Sequence, residues 1–192
     1  MSSKLLMVDH RDSYTHILLD YFMQLGWKTT LRQSDHLDDM LQPEDFDLLV
    51  LSPGFGRPQD KKNTKDLIAL WTGKPTIGIC LGHQLLSLVH GGTVRRAQRP
   101  LHGIMTQMTW EKDHPLTGFQ GQQKIMHYHS WVVDQLPEGA QSLGHCQRTG
   151  ANMGMLHESL RFIGWQFHPE SIGTEKGLDL LEASIEYVLR GA

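Results

Sequence analysis

The first half of the chain alternates between short strand-like runs and segments in which apolar residues recur at helical spacing. Strands are predicted at 4–9, 28–31, 45–51 and 75–80, and helices at 60–72 and 82–90. A first helix is predicted from apolar positions that recur at helical spacing between 17 and 25. Ser13 is the predicted N-cap of the first helix, and Gly26 ends that helix. This alternation predicts βαβ units with right-handed crossovers around a parallel sheet.

The second half of the chain follows a different pattern. Between residues 93 and 166 the apolar runs become shorter and alternate, as at 125–133 and 160–167, which predicts an added antiparallel layer. An amphipathic helix is predicted at 174–190. Because the sequence shows no internal repeat and no linker, we expect one α/β domain over residues 1–192. Its central, mostly parallel sheet is flanked by helices and carries a small antiparallel layer.

Composition excludes several classes of protein. The chain has 192 residues, 39% of them hydrophobic, and a formal charge of −3, which favours an ordered domain without general affinity for nucleic acid or anionic membranes. No apolar run approaches the roughly 18 residues of a membrane span, and the segment starting Met1-Ser2-Ser3-Lys4 does not resemble a signal peptide. Two cysteines cannot form a disulfide framework, so we expect the reducing cytoplasm.

One of the two cysteines lies where a strand is expected to turn into a helix. Cys80 has Gly78 two residues before it and Gly82 two residues after it. Glycines at these positions allow the tight strand-to-helix turn of a nucleophile elbow, with Cys in the central place. N–H groups at the start of the helix can stabilise an oxyanion and favour the thiolate. The alternative is a buried structural cysteine beside glycines that serve packing.

A thiol nucleophile requires a base, and His168 is the candidate. It follows a predicted strand in His168-Pro169-Glu170, and Pro169 disfavours helix at His168. His168 could deprotonate Cys80 while Glu170 accepts from the other ring nitrogen. The alternative for this tripeptide is a solvated turn. Cys146 has no comparable turn chemistry, and we expect it to be structural.

Three segments together resemble the class I, or triad, glutamine amidotransferases. They are residues 52–56 (Ser-Pro-Gly-Phe-Gly), 78–84 (Gly-Ile-Cys-Leu-Gly-His-Gln) and 166–171 (Gln-Phe-His-Pro-Glu-Ser). Segments 8–15, 101–103 and 128–130 further resemble the small subunits, component II, of anthranilate and aminodeoxychorismate synthases. The resemblance implies a flavodoxin-like α/β fold that hydrolyses L-glutamine to glutamate and delivers the ammonia to a synthase.

The resemblance also implies a role for each matching residue. Cys80 would attack the side-chain amide of glutamine, His168 would shuttle protons, and Glu170 would orient His168. The implied substrate-binding residues are Gly54, Phe55, Gly56, Leu81, Gln84, Ser130 and Trp131. The loop 54–56 and the amide of Leu81 would form the oxyanion hole. No metal or cofactor is expected for the glutaminase step. Mg²⁺ is expected only in a chorismate-binding synthase subunit, component I, which would be a separate chain in a heteromer with this one.

The chain departs from the family pattern at several positions. Phe55 stands where the family usually has Pro, and Ile104 stands where this branch commonly has Lys. His127 replaces the residue class usual beside the Tyr-His-Ser segment, and residues 57–60 also differ. Because Cys80, His168 and Glu170 are all present, we interpret these departures as changes of specificity or docking.

Other functions remain open at the level of sequence. His127 and His129 would share one face of a strand and, with His102 and His145, could form a metal site, although no further zinc motif accompanies them. A cysteine peptidase or thiol hydrolase could use the same elbow. A non-catalytic regulatory or scaffolding subunit, or an amidotransferase subunit for another acceptor, would keep the same fold.

Overall fold

Nine strands form one continuous sheet in the computed structural model, which describes residues 3–37 and 42–190. Met1 and Ser2, at the start of the segment compared with a signal peptide, lie outside the described residues. The strands are β1 Lys4–His10, β2 Lys28–Gln33, β3 Leu48–Gly54, β4 Thr76–Ile79, β5 Thr93–Trp110, β6 Gln122–Gln135, β7 Gln141–Cys146, β8 Asn152–His157 and β9 Phe162–Trp165. Their order in the sheet is β2-β1-β3-β4-β9-β8-β7-β5-β6.

Four α-helices cover the sheet within the described residues. They are α1 Thr15–Gln24, α2 Lys62–Leu70, α3 Leu81–Val89 and α4 Gly177–Leu189. Short 3₁₀ turns lie at Pro43–Asp45 and Pro58–Asp60. None of the helices in the described ranges is long and apolar enough to cross a membrane.

The alternation of side chains along β1 shows why both faces of the sheet are apolar. Leu5 and Met7 belong to the core cluster that contains residues of α1 and α4, whereas Leu6 and Val8 belong to the cluster beneath α2 and α3. All four side chains are fully buried. A parallel strand covered by helices on both sides must be apolar at every position, which explains the continuous apolar run in the sequence.

The parallel and antiparallel parts of the sheet meet at β9. Strands β2, β1, β3, β4 and β9 pair in parallel, and β9 then pairs antiparallel with β8. The run at 160–167 therefore does not belong to an added antiparallel layer, because Phe162–Trp165 completes the parallel region beside β4. The remaining antiparallel strands extend the same sheet instead of forming a second one.

Two local predictions also require correction. Ser13 is not the N-cap of α1: Tyr14 occupies that position, and its backbone N–H donates to Oδ1 of Asp12 over 2.9 Å. This is an Asx-turn, which is stabilised when an Asp side chain accepts a hydrogen bond from the backbone N–H of the second residue after it. The third strand starts at Leu48, after the 3₁₀ turn, and continues through Pro53 to Gly54. Pro53 fits there because the pairing with β1 shifts register between Val8 and His10.

Candidate active site

Cys80 occupies a strained turn between β4 and α3. Its backbone φ is +52°, a left-handed conformation that non-glycine residues rarely adopt. The N–H of Cys80 donates to the carbonyl of Trp165 on β9 over 2.7 Å, which holds the turn against the neighbouring strand. The side chain is almost fully buried. This is the strand-to-helix geometry that the sequence predicted for a nucleophile elbow.

The flanking glycines are required by close backbone contact. A Cβ on Gly78 would lie 2.6 Å from the carbonyl carbon of Gly82, and a Cβ on Gly82 would collide with the carbonyl oxygen and the Cβ of Leu51. Helix α3 can therefore begin directly against β3 and β4 only because neither position carries a side chain.

Substitution of Gly82 by alanine should therefore destabilise the fold and displace Cys80. We expect the free energy of unfolding to fall by about 1–3 kcal/mol, the usual effect of overpacking. Urea unfolding followed by circular dichroism measures it. The matched control is Gly26→Ala, where the added methyl enters open space and only the left-handed φ of +85° opposes it. A Gly82→Ala protein with wild-type stability and unchanged thiol reactivity would contradict the role of this contact.

His168 and Glu170 form a buried pair just beyond the end of β9. Nδ1 of His168 lies 2.6 Å from Oε1 of Glu170, and both side chains are almost completely buried. The N–H of His168 donates to the carbonyl of Met126 on β6 over 3.1 Å. The hydroxyl of Thr174 donates to the carbonyl of His168 over 2.6 Å. These bonds fix the backbone and the ring orientation of the imidazole.

The electrostatic surroundings of His168 favour its charged form. Burial lowers the pKa of the imidazole, but the Glu170 carboxylate and the Cys80 thiol oppose this effect, and the pKa is raised well above its ordinary value of 6.5. Nε2 of His168 has no hydrogen-bond partner among the described residues. With Nδ1 bound to Glu170, Nε2 is the nitrogen free to exchange a proton with Cys80 or a bound substrate.

Two tyrosines cover the His168 ring. The ring centroids of Tyr14 and Tyr128 lie 5.3 and 5.1 Å from that of His168, both in edge-on arrangements. The hydroxyl of Tyr14 donates to that of Tyr128 over 2.7 Å, and this bond, with burial, raises the pKa of Tyr14 to about 12. The pair links the β1–α1 turn to β6 and shields the imidazole.

Cys80 opens into a pocket of about 710 Å³. Six of the seven predicted substrate-binding residues line it: Gly54, Phe55, Gly56, Gln84, Ser130 and Trp131. Leu81 does not line it, because its side chain is buried against Gly54 and in the core cluster beneath α2 and α3. As the first residue of α3, Leu81 can contribute its backbone N–H, which has no partner within the helix. His168 and Glu170 are buried and also lie outside the pocket lining.

Hydrogen bonds organise the walls of this pocket. The amide nitrogen of Gln84 donates to the carbonyl of Trp131 over 2.8 Å and to Oε1 of Gln166 over 3.3 Å. Nε2 of His102 and the hydroxyl of Ser130 are hydrogen bonded at 2.8 Å. Helix α3 is thereby tied to β6, and the Ser130–Trp131 backbone is held beside Cys80.

The structure places four further residues here, in contacts that the sequence does not predict. The amide nitrogen of Gln166 lies 3.8 Å from Sγ of Cys80 and donates towards it. Gln166 stands two residues before His168, a spacing that puts side chains on one face of an extended chain and could have identified it. Tyr14, Tyr128 and His102 lie in segments that resemble the family, and His102 is also a candidate metal ligand at the level of sequence. Their observed contacts have no local signal, because they are made across the fold.

The unusual residue Phe55 is largely exposed at the rim of the pocket. Its side chain is 65% accessible, and the ammonium of Lys61 lies 5.1 Å from the centre of its ring. On the same rim, the guanidinium of Arg57 lies 5.8 Å from the ring of Trp131. Gly56 between them has a φ of +91°, so the loop turns sharply at this position.

The histidines considered as metal ligands are engaged in other contacts. Nδ1 of His127 and Nε2 of His129 are hydrogen bonded at 2.9 Å, and Nδ1 of His145 lies 2.8 Å from a carboxylate oxygen of Glu111. Across residues 3–37 and 42–190, no group of three or more potential ligands is arranged to hold a metal ion. His127 and His129 share one face of the strand, as predicted, but they bond to each other there.

Cys146 is buried in a polar setting away from the pocket lining. Its sulfur lies 3.4 Å from the hydroxyl of Thr106, which in turn bonds Nε2 of His127 at 2.7 Å. Burial raises the pKa of the Cys146 thiol, but hydrogen bonds led by His127 outweigh this effect and lower it to about 6. Both cysteines are free thiols.

Sequence comparison matches this chain to a known family. The family model described as "Glutamine amidotransferase class-I" matches residues 6–187. A Pseudomonas aeruginosa protein named "Anthranilate synthase component 2, pyocyanine specific" is 38% identical over 95% of this chain and 92% of its own length. The Escherichia coli protein named "Aminodeoxychorismate synthase component 2" is 34% identical over 92% of this chain and 96% of its own length.

Solved structures support the same fold. A Thermoplasma acidophilum protein described as part of a GMP synthase matches with a TM-score of 0.85 at 22% identity, covering 100% of this chain and 96% of that one. A glutamine amidotransferase from Thermotoga maritima matches with a TM-score of 0.76 at 22% identity, covering 88% of this chain and 77% of that one. These likenesses confirm the α/β fold class predicted from the sequence.

Proposed function

The chain belongs to the class-I glutamine amidotransferase family, and from this we propose that it is the glutaminase subunit of a chorismate-utilising synthase. In this role it hydrolyses L-glutamine to glutamate and ammonia, and the ammonia passes to the partner synthase. The observation that carries the proposal is the arrangement of Cys80 on its strained turn beside the buried His168–Glu170 pair, at the base of a pocket large enough for an amino acid.

In the first half-reaction, the Cys80 thiolate attacks the side-chain amide carbon of glutamine. The carbonyl oxygen becomes an oxyanion, and we assign its stabilisation to the N–H of Leu81 and the loop 54–56. His168, protonated at Nε2, gives its proton to the leaving nitrogen, and the C–N bond breaks. Ammonia leaves, and a thioester joins the substrate to Cys80.

In the second half-reaction, water hydrolyses the thioester. Nε2 of His168, now neutral, accepts a proton from the attacking water, and the carbon–sulfur bond breaks to release glutamate. The Cys80 thiolate and the His168 imidazolium are regenerated. Glu170 holds Nδ1 at 2.6 Å throughout, which keeps Nε2 directed at the reacting atoms. No step requires a metal or an organic cofactor.

The substrate amino acid would lie against β6. The backbone of Ser130 and Trp131 is held in position by Gln84 and His102, and it is suited to bind the α-amino and carboxylate groups. We infer that Gln166, which donates towards Cys80, stabilises the thiolate before substrate enters.

The names of the relatives support a proposal for the partner. Proteins from Pseudomonas aeruginosa and Escherichia coli carry the names of component 2 of anthranilate and aminodeoxychorismate synthases, which points to a component 1 that consumes the ammonia. We propose that this chain forms a cytoplasmic heteromer with such a synthase, in which Mg²⁺ serves the chorismate chemistry. Both acceptor reactions are consistent with these relatives.

The surface beside the triad is suited to dock that synthase. Ile172 is fully exposed two residues after Glu170, and Met105 and Ile104 are exposed on β5. The side chain of Met105 lies close to Gly173, the residue after Ile172: a Cβ added to Gly173 would be 3.3 Å from it. Exposed apolar residues grouped at the edge of a site are typical of an interaction surface.

Substitution of Ile172 by aspartate should weaken docking and leave the activity of the isolated chain unchanged. A buried unpaired charge at an interface should raise the Kd for the synthase by about tenfold or more. The measurement is glutamate release against synthase concentration. The matched control is Leu70→Asp on α2, which places the same charge at another exposed apolar residue. Equal loss in both variants would contradict a docking role for Ile172.

The direct test of the function is glutamate release from glutamine by the purified chain, alone and with each candidate synthase plus chorismate. We expect turnover that rises with one partner, and that partner identifies the product. Stimulation follows because a docked partner seals the site and captures ammonia before it is lost to water. If a demonstrably folded chain releases no glutamate with any partner, a scaffolding role replaces the proposal.

A further inference from the structure

A second cavity, of about 290 Å³, lies next to the pocket into which Cys80 opens, which we call the glutamine pocket. Three arginines contribute to its lining. Arg95, Arg99 and Arg148 contribute to its walls, with Gln98 and Thr149 as neutral polar residues. Val132 and two alanines complete most of the lining. Of the described residues, His129 alone lines both this cavity and the glutamine pocket.

The cavity is produced by an irregularity in the β5–β6 pairing. Arg96 pairs with Trp131 and Leu101 pairs with His129, so four residues of β5, 97–100, lie opposite Ser130 alone. The extra residues bulge outwards and carry Arg99 with them. The turn between β7 and β8 contributes Arg148 and Thr149 to the same lining and is tightened by Gly150 at a φ of +70°.

The charge of this cavity is not balanced by its own lining. Among the described residues, no acidic side chain lines it. Arg95 is paired with Asp134, with Nε 2.6 Å from Oδ1. Within residues 3–37 and 42–190, no ion pair engages Arg99 or Arg148. Two guanidinium groups are therefore free to bind an anion.

His129 forms the wall between the two cavities. Burial and the neighbouring His127 lower the pKa of its imidazole to about 3, so the ring is neutral, and its Nε2 is hydrogen bonded to His127. The ring nitrogen Nδ1 is buried without a hydrogen-bond partner in the part of the chain that the structure describes. A neutral, packed side chain is therefore shared by the arginine-lined cavity and the pocket around Cys80.

We propose that the arginine-lined cavity binds a small molecule through a carboxylate or phosphate group. A guanidinium presents two parallel N–H donors to the oxygens of such a group, and the exposed side chains of Arg99 and Arg148 supply two guanidiniums that no ion pair of the described residues engages. The volume is at the small end of ligand pockets, so the occupant is a compact anion and not a nucleotide. The apolar patch formed by Val132 and the alanines accommodates a short carbon body.

The test is isothermal titration calorimetry of the full chain with inorganic phosphate and, separately, with succinate. We expect saturable binding of at least one probe, and the tighter probe identifies the source of the anionic group. Arg99→Gln and Arg148→Gln, alone and combined, should weaken binding, with about a tenfold or larger rise in Kd for the double variant. The matched control is Arg32→Gln on β2, an exposed arginine at the opposite edge of the sheet.

Three results would overturn the proposal. The first is no binding of either probe up to about 10 mM, a concentration at which even a weak site with millimolar Kd would be filled. The second is equal weakening by Arg32→Gln, which would mean general attraction to positive charge. The third is loss of anion binding when a Cys80→Ser chain is saturated with glutamine, which would place the anion in the glutamine pocket. Failure of the glutaminase function itself would leave the titrations without glutamine unaffected.

Discussion

Replacement of Cys80 by serine should reduce glutamate release by about 10³-fold or more, the scale seen when a covalent nucleophile is removed. A serine hydroxyl has a much higher pKa than a thiol and is a weaker nucleophile beside the same base. The side chain is nearly isosteric, so the strained turn and the contacts of α3 should persist. Glutamate release under saturating glutamine, with and without the synthase, measures the loss.

The second cysteine provides the matched control for this experiment. Cys146→Ser makes the same chemical change at a buried thiol that does not line the glutamine pocket, and we expect it to retain most of the activity. Iodoacetamide should inactivate the wild type and the Cys146→Ser variant alike. Wild-type turnover by Cys80→Ser, or inactivity of Cys146→Ser in a folded chain, would remove Cys80 from the centre of the mechanism.

Replacement of Glu170 by glutamine should lower kcat by about 10²–10⁴-fold, because the imidazole loses both its charge partner and its tautomer control. A glutamine amide can turn its NH₂ towards Nδ1 and shift the ring proton to Nε2. The nitrogen next to Cys80 would then be unable to accept a proton. Because Glu170 acts through His168, we expect kcat to fall far more than the KM for glutamine changes.

The pH dependence distinguishes this effect from a structural one. The Glu170 carboxylate helps to raise the pKa of His168 well above 6.5, so its removal should lower that pKa and move the corresponding limb of the kcat/KM profile to lower pH. Glu175→Gln is the control, an exposed glutamate whose carboxylate lies 3.5 Å from Lys124. An unshifted profile in Glu170→Gln would contradict the assigned role.

The same pair makes a pH-dependent contribution to stability. The pKa of His168 is higher in the folded state than in the unfolded state, where it is about 6.5. The stabilisation that the charged imidazole contributes is therefore fully present at pH values below the unfolded-state pKa, and it is lost as pH rises through the folded-state pKa. The stability difference between the wild type and Glu170→Gln should therefore shrink as pH rises through that range. Urea unfolding at a series of pH values measures this difference, and a difference that grows with pH would contradict it.

Local sequence determined the strand–helix alternation, the elbow at Cys80 and the turn at His168-Pro169-Glu170. The spacing of apolar residues and the presence of turn-forming residues depend only on neighbours within a few positions. Both can therefore be recognised without knowledge of the fold. The prediction that the run at 160–167 belongs to an antiparallel layer is wrong for the complementary reason. Its apolar residues suit a buried strand in either orientation, and only its pairing with Thr76–Ile79 makes it parallel.

What only the tertiary structure decided is which distant residues meet. Strands β4 and β9 are parallel neighbours, with Ile79 opposite Trp165, so both strands leave the sheet at the same edge. Cys80 therefore emerges beside Gln166 and interacts with His168. The Tyr14–Tyr128 bond and the arginine-lined cavity join segments that are far apart in the chain. The sequence identified the chemistry of individual positions because that chemistry is a property of a side chain and its immediate neighbours. Strand order and register decided the distances between those positions, and these arise from packing across the whole sheet.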